Sequence, residues 1–368
     1  MKVIGLAHSL MVTRRLPRLD VVIVNWNSGA RLDRCLASLA AASRDGFTLH
    51  RIVIVDNASD EPIAPYAETL ARDYDLPIFI IRNASNRGFA PACLQGAAGS
   101  RADYLLFLNP DTRVDASALS AAVAALESPR YRATGILGLP LVDEDGAHQP
   151  TCGRFLTVGR MFNQITGLTL LAPRAFPGCR MTDWDHLDTR TVDFVSGACL
   201  LVRRPLYEQL GGFDPRFIVY LEDADLALRA RRLGWDTVFL AGPPVYHEGG
   251  WGTGTARSLR LAHAWRSLLA YGIKHFRPFS ACAATAMVLA VAPIARAGEA
   301  MLHRSPRELV DACLGYGRLW ALVIADLASA GRRRGEAIDT GCYNDAFPGT
   351  CPEGQVSDRQ GRTPAGAR

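Results

Sequence analysis

An open α/β sheet flanked by helices is the fold that this 368-residue sequence predicts. Three observations lead to it. Apolar runs without polar alternation, such as Val21-Val22-Ile23-Val24, have the composition of strands buried on both faces of a parallel sheet. Between the runs lie segments whose apolar residues recur at helical spacing, and that alternation requires crossover helices. Two of the runs end in an aspartate, Asp56 and Asp111, where open sheets of this kind form their ligand crevice.

The elements follow in order. After the strand at residues 21–24, Leu32, Cys35, Leu36 and Leu39 mark a helix over 31–42. Residues 51–55 make a second strand, ending in Asp56-Asn57-Ala58-Ser59, and 77–81 a third. A helix is expected over 88–100, a fourth strand over 104–108, and an alanine-rich helix over 116–126. Residues 131–195 look less regular, and 191–203 reads as one strand. Gly211-Gly212-Phe213-Asp214 is a turn. A helix over 221–233 carries acids at its start and arginines at its end, the order its dipole favours. Thr237 to Leu240 is a last strand, leading to Tyr246-His247-Glu248-Gly249-Gly250.

Composition bounds the function. The chain is 49 % apolar and 21 % charged, enough to bury a sizeable core. Its net charge of +5 comes without a lysine-rich stripe or interleaved aromatic and basic residues, so nucleic acid is not an expected partner. Nine scattered cysteines without a CxxC pair favour a reducing compartment over a disulfide or zinc framework. Residues 1–17 lack the continuous apolar core of a signal peptide and are expected to be a flexible leader. From 256 to 334 there are twelve Lys or Arg against four Asp or Glu, around an uncharged stretch at 279–295. This basic helical extension is expected to bury a helix pair or to lie at a membrane surface, with spanning the weaker expectation. Residues 335–368 are polar, rich in Gly and Pro, and expected to be a disordered tail.

Four clusters carry residues suited to chemistry. Asn109-Pro110-Asp111 closes a strand, and a carboxylate there suits a hard divalent cation, although the same residues are ordinary turn formers. Asp56 can accept from a ribose hydroxyl or a base N–H, or simply build an Asx-turn. Glu222-Asp223-Ala224-Asp225 offers a general base, while Asp225 can equally pair with Arg229 one turn on. His247, before a glycine pair, is a metal ligand, a phosphate donor or a solvated loop residue.

In their order these segments resemble the inverting family 2 glycosyltransferases of the GT-A fold, within them the rhamnosyltransferase-like bacterial branch. The likeness runs from Val21-Val22-Ile23-Val24-Asn25-Trp26-Asn27 to about Gly250. It takes in Val55-Asp56-Asn57-Ala58-Ser59, Asn86-Arg87-Gly88-Phe89-Ala90, Leu108-Asn109-Pro110-Asp111-Thr112, Gly211-Gly212-Phe213-Asp214 and Glu222-Asp223-Ala224-Asp225-Leu226. The resemblance implies a GT-A-like domain over 18–255. It also implies a sugar, rhamnose from deoxythymidine-diphosphate-rhamnose, moved from a nucleotide-diphosphate donor to a lipid-linked or polysaccharide acceptor. The basic, apolar extension suits an enzyme that meets its acceptor at the cytoplasmic membrane face.

Residue by residue, the resemblance implies that Asp56 contacts the base, and that Asn25, Asn27, Asn86 and Asn109 line the nucleotide-sugar pocket. Asp111 would hold Mg2+ or Mn2+ with His247 close by, and Asp223 would be the general base beside Glu222. Asn109 replaces the first acid of a DxD, which leaves the metal fewer protein carboxylates. Leu94 stands where the family commonly has Asn, and Glu61-Pro62 where it often has Gly. Two rival functions share the fold. A sugar nucleotidyltransferase would need a lysine in a glycine-rich first loop, which Asn25-Trp26-Asn27-Ser28-Gly29 lacks. A non-catalytic sugar-nucleotide scaffold would have lost the acids, and Asp56, Asp111 and Asp223 are all present.

Overall fold

The computed structural model describes residues 15–61, 63–74, 76–249 and 255–332. Most of the expected leader, the glycine loop after Gly249 and the expected tail lie outside the described residues.

The first half alternates as its apolar runs require. In order come β1 (Arg18–Asn25), α1 (Ala30–Ala41), β2 (Thr48–Asp56), α2 (Ala64–Asp73), β3 (Ile78–Arg82), α3 (Phe89–Ala97) and β4 (Tyr104–Leu108). β1 pairs with β2 on one side and β4 on the other, and β3 flanks β2, all parallel. One face of α1 buries Leu32, Cys35, Leu36 and Leu39 against Ile52, Ile54, Leu106 and Leu108 of the sheet. Because the strands are parallel, their carboxyl ends gather on one edge. Asn25 sits directly opposite Asp56 in the β1–β2 ladder, and Asn109 follows the end of β4.

The second half is mixed. It contains β5 (Thr112–Val114), α4 (Ala118–Glu127), β6 (Thr134–Gly138), β7 (Leu141–Val142), β8 (Cys152–Gly153), α5 (Val158–Ile165), α6 (Leu168–Leu171), β9 (Arg190–Val192), β10 (Phe194–Val195) and β11 (Cys199–Arg203). Then follow α7 (Arg204–Gln209), α8 (Glu222–Arg232), β12 (Asp236–Phe239) and β13 (Val245–His247). The main sheet has the order β3-β2-β1-β4-β11-β6-β12-β9, with β11 and β9 antiparallel to their neighbours. A small sheet β5-β13-β7 stands beside it.

Two expectations are refined here. β6 is a fully buried strand inside the stretch that looked irregular. Its two glycines mask the strand pattern, and packing explains them: a Cβ on Gly138 would approach Val195 Cβ to 2.7 Å. Residues 191–203 are three strands rather than one. Asp193 leaves the ladder to accept from the Phe155 N–H (2.8 Å), and the Ser196–Ala198 turn separates β10 from β11.

The extension is helical: α9 (Thr255–His275), α10 (Pro278–Ala286), α11 (Ala292–Leu302) and α12 (Pro306–Arg332). α10 and α11 are joined through a wide π-type turn at Met287–Val291, directly before Pro293. A proline lacks the N–H and crowds the preceding turn, which widens it. Composition changes near residue 255, but packing runs across that point. Phe217 and Ala224 share one apolar cluster with Ala262, Tyr271, Val288 and Leu319.

Candidate active site

The carboxyl ends of β1 and β2 build a polar nest. Asn25 Nδ2 donates to Asp56 Oδ1 (3.1 Å) and to Ser59 Oγ (3.0 Å). Ser59 Oγ also donates to Asp56 Oδ1 (2.5 Å), with the Ser59 N–H at 3.4 Å, so the Asx-turn forms as the local sequence allows. The three bonds that reach Asp56 all end on Oδ1, and among the described residues Oδ2 is the oxygen left for a ligand. Asn25 Oδ1 is buried with no hydrogen-bond partner among the described residues. An orphaned buried acceptor costs free energy until a donor reaches it, which suits a ligand pocket.

The other asparagines divide. Asn27, in a left-handed conformation (φ 51°), has both amide ends taken by Asp60: Nδ2 donates to Oδ2 (3.0 Å) and Oδ1 accepts from the backbone N–H (2.8 Å). Its side chain therefore shapes the loop after β2. Asn86 Oδ1 accepts from the Gly88 N–H (2.9 Å) and turns the chain into α3. Gly88 has φ 89° and lies against Ile218, so a side chain there would be strained and crowded. Sequence reasoning did not single out Asn57 and Asn83. Asn57 Nδ2 donates to the Gly88 carbonyl (3.1 Å), and Asn83 Nδ2 donates to Asn57 Oδ1 (2.8 Å), so they tie the second and third loops together.

At the end of β4, Asp111 and His247 face each other, with His247 Nε2 3.6 Å from Asp111 Oδ1. Strand pairing brings them together: His247 of β13 is registered opposite Thr112 of β5, and the Glu248 N–H donates to the Asp111 carbonyl (3.1 Å). His247 thus ends a strand, where the sequence alone left it on a loop. Burial pushes its imidazole below the ordinary range, against the opposing pull of the Asp111 carboxylate. A neutral ring with a lone pair beside a carboxylate is a donor set for a divalent cation. Among the described residues no cluster of three or more His, Cys, Asp or Glu is placed to hold a metal. Two protein ligands of this kind would leave a bound Mg2+ most of its positions for phosphate oxygens and water.

The acidic pair begins α8. Tyr220 and Leu221 both have left-handed backbones (φ 65° and 67°), a strain of about 1–3 kcal/mol each that persists only where the surroundings enforce it. They do so here: the Ile218 carbonyl accepts from the Phe89 N–H (2.9 Å), and the Val219 carbonyl from Ser267 Oγ (2.8 Å). Asp223 Oδ2 accepts from the Gly197 N–H (3.0 Å) and Oδ1 from the Ala224 N–H (2.7 Å). Glu222 is buried, and its Oε2 has no partner. Burial and the adjacent Asp223 charge push Glu222 well above the ordinary carboxylate range. Burial also raises Asp223, but its two backbone N–H donors oppose the shift. Of the two carboxylates, Asp223 is the one whose negative charge the backbone donors favour. The Ser196–Ala198 turn links this pair to the Asp111–His247 side, because the Ala198 carbonyl accepts from the Asn109 N–H (2.9 Å).

Asp225 faces away from the acidic pair's backbone donors, toward basic side chains. It is fully buried and bound by Arg229 (2.8 Å), Lys274 (2.6 Å) and His275 (2.7 Å), a structural clamp of the kind its spacing to Arg229 allowed.

The chain is similar to known proteins. A family model described as glycosyltransferase like family 2 matches residues 17–267. The N-acetylglucosaminyl-diphospho-decaprenol L-rhamnosyltransferase of Mycobacterium tuberculosis is 28 % identical over 257 residues, 66 % of this chain and 80 % of that protein. The O-antigen biosynthesis protein RfbC of Myxococcus xanthus is 27 % identical over 268 residues, 70 % of this chain and 19 % of that one. Among solved structures, GalNAc-T7 with UDP, GalNAc and Mn2+ superposes with a TM-score of 0.50 at 16 % identity, covering 71 % of this chain and 52 % of that one, and shares the fold. The chain is a glycosyltransferase and belongs to family 2, where it is similar to the rhamnosyltransferase-like bacterial members.

Proposed function

We propose that this enzyme moves a sugar, rhamnose from deoxythymidine-diphosphate-rhamnose, onto a hydroxyl of a lipid-linked or polysaccharide acceptor in cell-envelope glycan synthesis, with inversion. The observation that carries the proposal is the pairing of two sets of groups through one turn: Asp223 on the Gly197 N–H, and Asp111 with His247 beyond Asn109. The similarity to an enzyme whose name includes a lipid-diphosphate acceptor and a rhamnosyl donor supports the substrate class.

In this scheme Asp223 takes the proton of the acceptor hydroxyl. The freed oxygen attacks the anomeric carbon from the face opposite the leaving group. The bond from that carbon to the phosphate oxygen breaks, and its electron pair leaves with the nucleoside diphosphate. Asp111 and His247 would hold Mg2+ or Mn2+, which when bound neutralises charge on the departing diphosphate. Asn25 and Asp56 would position the nucleotide, with Asn86 and Asn109 beside them and Asn27 acting through the loop of Asp60. Glu222, whose carboxyl burial pushes up, would stand beside the base. The extension is proposed to rest on the cytoplasmic membrane face, where a lipid-linked acceptor is presented.

The test is nucleotide release from a panel of nucleotide-sugars, with and without Mn2+ or Mg2+ and with membrane-derived acceptor, for wild type and Asp223→Asn. Metal-dependent release from one donor is expected, with the rate about 10²–10⁴-fold lower in the variant. Equal rates in the two proteins would remove Asp223 as the base. No release from any donor would point to a sugar-nucleotide scaffold.

A further inference from the structure

Gln149 spans 98 residues of sequence to reach His247 with both ends of its amide. Its Nε2 donates to the His247 backbone carbonyl (2.8 Å), and its Oε1 lies 2.9 Å from His247 Nδ1. The backbone carbonyl can only accept, so the amide NH2 must face it, and Oε1 must face the ring. An amide oxygen can only accept in turn, so in the neutral ring Nδ1 carries the hydrogen. Nε2 is left with a bare lone pair, pointing at Asp111 Oδ1 3.6 Å away. Two electron-rich atoms held face to face would be relieved by a cation between them. The amide is itself anchored: the Gln149 N–H donates to the Leu141 carbonyl (2.8 Å), at the start of the strand that pairs with β13.

We propose that Gln149 is the positioning residue of the metal site: it locks His247 in the Nδ1–H form and so keeps Nε2 as a ligand for a divalent cation shared with Asp111. This role rests on the metal assignment of Asp111 and His247 made above. Without Gln149 the ring is free to place its hydrogen on Nε2 and donate to Asp111, which turns two ligands into a hydrogen-bonded pair. Partners of this kind behind a metal-bound histidine typically change metal affinity by about 10–100-fold.

The test uses the full chain, wild type and Gln149→Leu, at a pH where histidine is neutral. Long-range 15N–1H NMR reads the His247 tautomer, and EPR of free Mn2+ reads binding of the metal alone. The expected result is Nδ1–H in wild type, Nε2–H in the variant, and an Mn2+ Kd raised about 10–100-fold in the variant, with an unchanged Tm. An Nε2–H ring in wild type overturns the proposal without reference to any variant. Equal Mn2+ affinity in the two proteins removes the role of Gln149 alone. Wild type that binds no Mn2+ while showing Nδ1–H removes the metal assignment itself, and with it this role.

Discussion

At Asn25 one buried amide holds Asp56 through Nδ2 and leaves its own Oδ1 unmatched. A hydrogen bond to a charged group contributes about 1.5–3 kcal/mol, so its loss corresponds to roughly 10- to 150-fold in binding. Asn25→Leu keeps the size and removes both functions. The Kd of the donor nucleotide, measured calorimetrically, is expected to rise by about that factor, with the protein still folded. A change of less than threefold would mean that Asn25 serves the fold and not the ligand. The individual acids were legible in the sequence because a carboxylate at a strand end or helix start is conspicuous in itself. Asn57, Asn83 and Gln149 were not. Their side chains are ordinary polar residues until the fold supplies partners, and for Gln149 that partner lies on β13, far along the chain.

Helix α8 is held in place from its own interior and from the extension. Asp225, one turn after the strained entry, gathers Arg229 of α8 with Lys274 and His275 of α9, and Lys274 also reaches Asp214 (2.6 Å). Burial alone would raise the Asp225 carboxyl; His275, Arg229 and Lys274 overcome it and hold it below the ordinary range. A carboxylate depressed in the folded state stabilises above its unfolded pKa of about 4, and that stability is lost as the pH falls through the folded value. Asp225→Ala removes the buried carboxylate shared by Arg229, Lys274 and His275, and breaking a buried ion pair costs about 3–5 kcal/mol. Denaturant unfolding should show that loss, and nucleotide release should fall too, because Asp223 rides on the same helix turn. A stability loss under about 1 kcal/mol would mean that the clamp does not fasten α8. Elements with strong local periodicity, such as β1, α1 and α8, were legible. β6 and β13 were not, because β6 trades side chains for glycine contacts and β13 is three residues long.

Across the whole molecule, the extension joins the catalytic core on one face and leaves another apolar face open. The continuous helix Pro278–Leu302 is long and apolar enough to cross a membrane by length and composition, with 22 % of its most apolar stretch buried. Ala284, Met287, Val288 and Ala292 pack inward with Tyr271 and Leu319. Phe279 (87 % exposed) and Ile294 (74 %) point outward, in line with exposed Cys282, Ala286 and Ala290 at helical spacing. A helix with one face in the protein core and the other apolar and bare suits lying on a membrane better than crossing it. Arg277, Arg304 and Arg307 stand exposed at its ends. Near an anionic surface each basic residue contributes about 1 kcal/mol, and each buried large apolar side chain about 1.5–3 kcal/mol. The full chain is expected to sediment with phosphatidylglycerol vesicles at low salt, and less with phosphatidylcholine. The double variant Phe279→Asp, Ile294→Asp should lose most of that binding at any salt concentration. Replacing the three arginines with glutamine should weaken it about 100-fold at low salt and little at high salt, because only the charge contribution is screened. Wild type that stays in the supernatant with anionic vesicles at low salt would sink membrane seating. The bare face would then have to be covered by another protein surface, and the acceptor would have to reach Asp223 from solution.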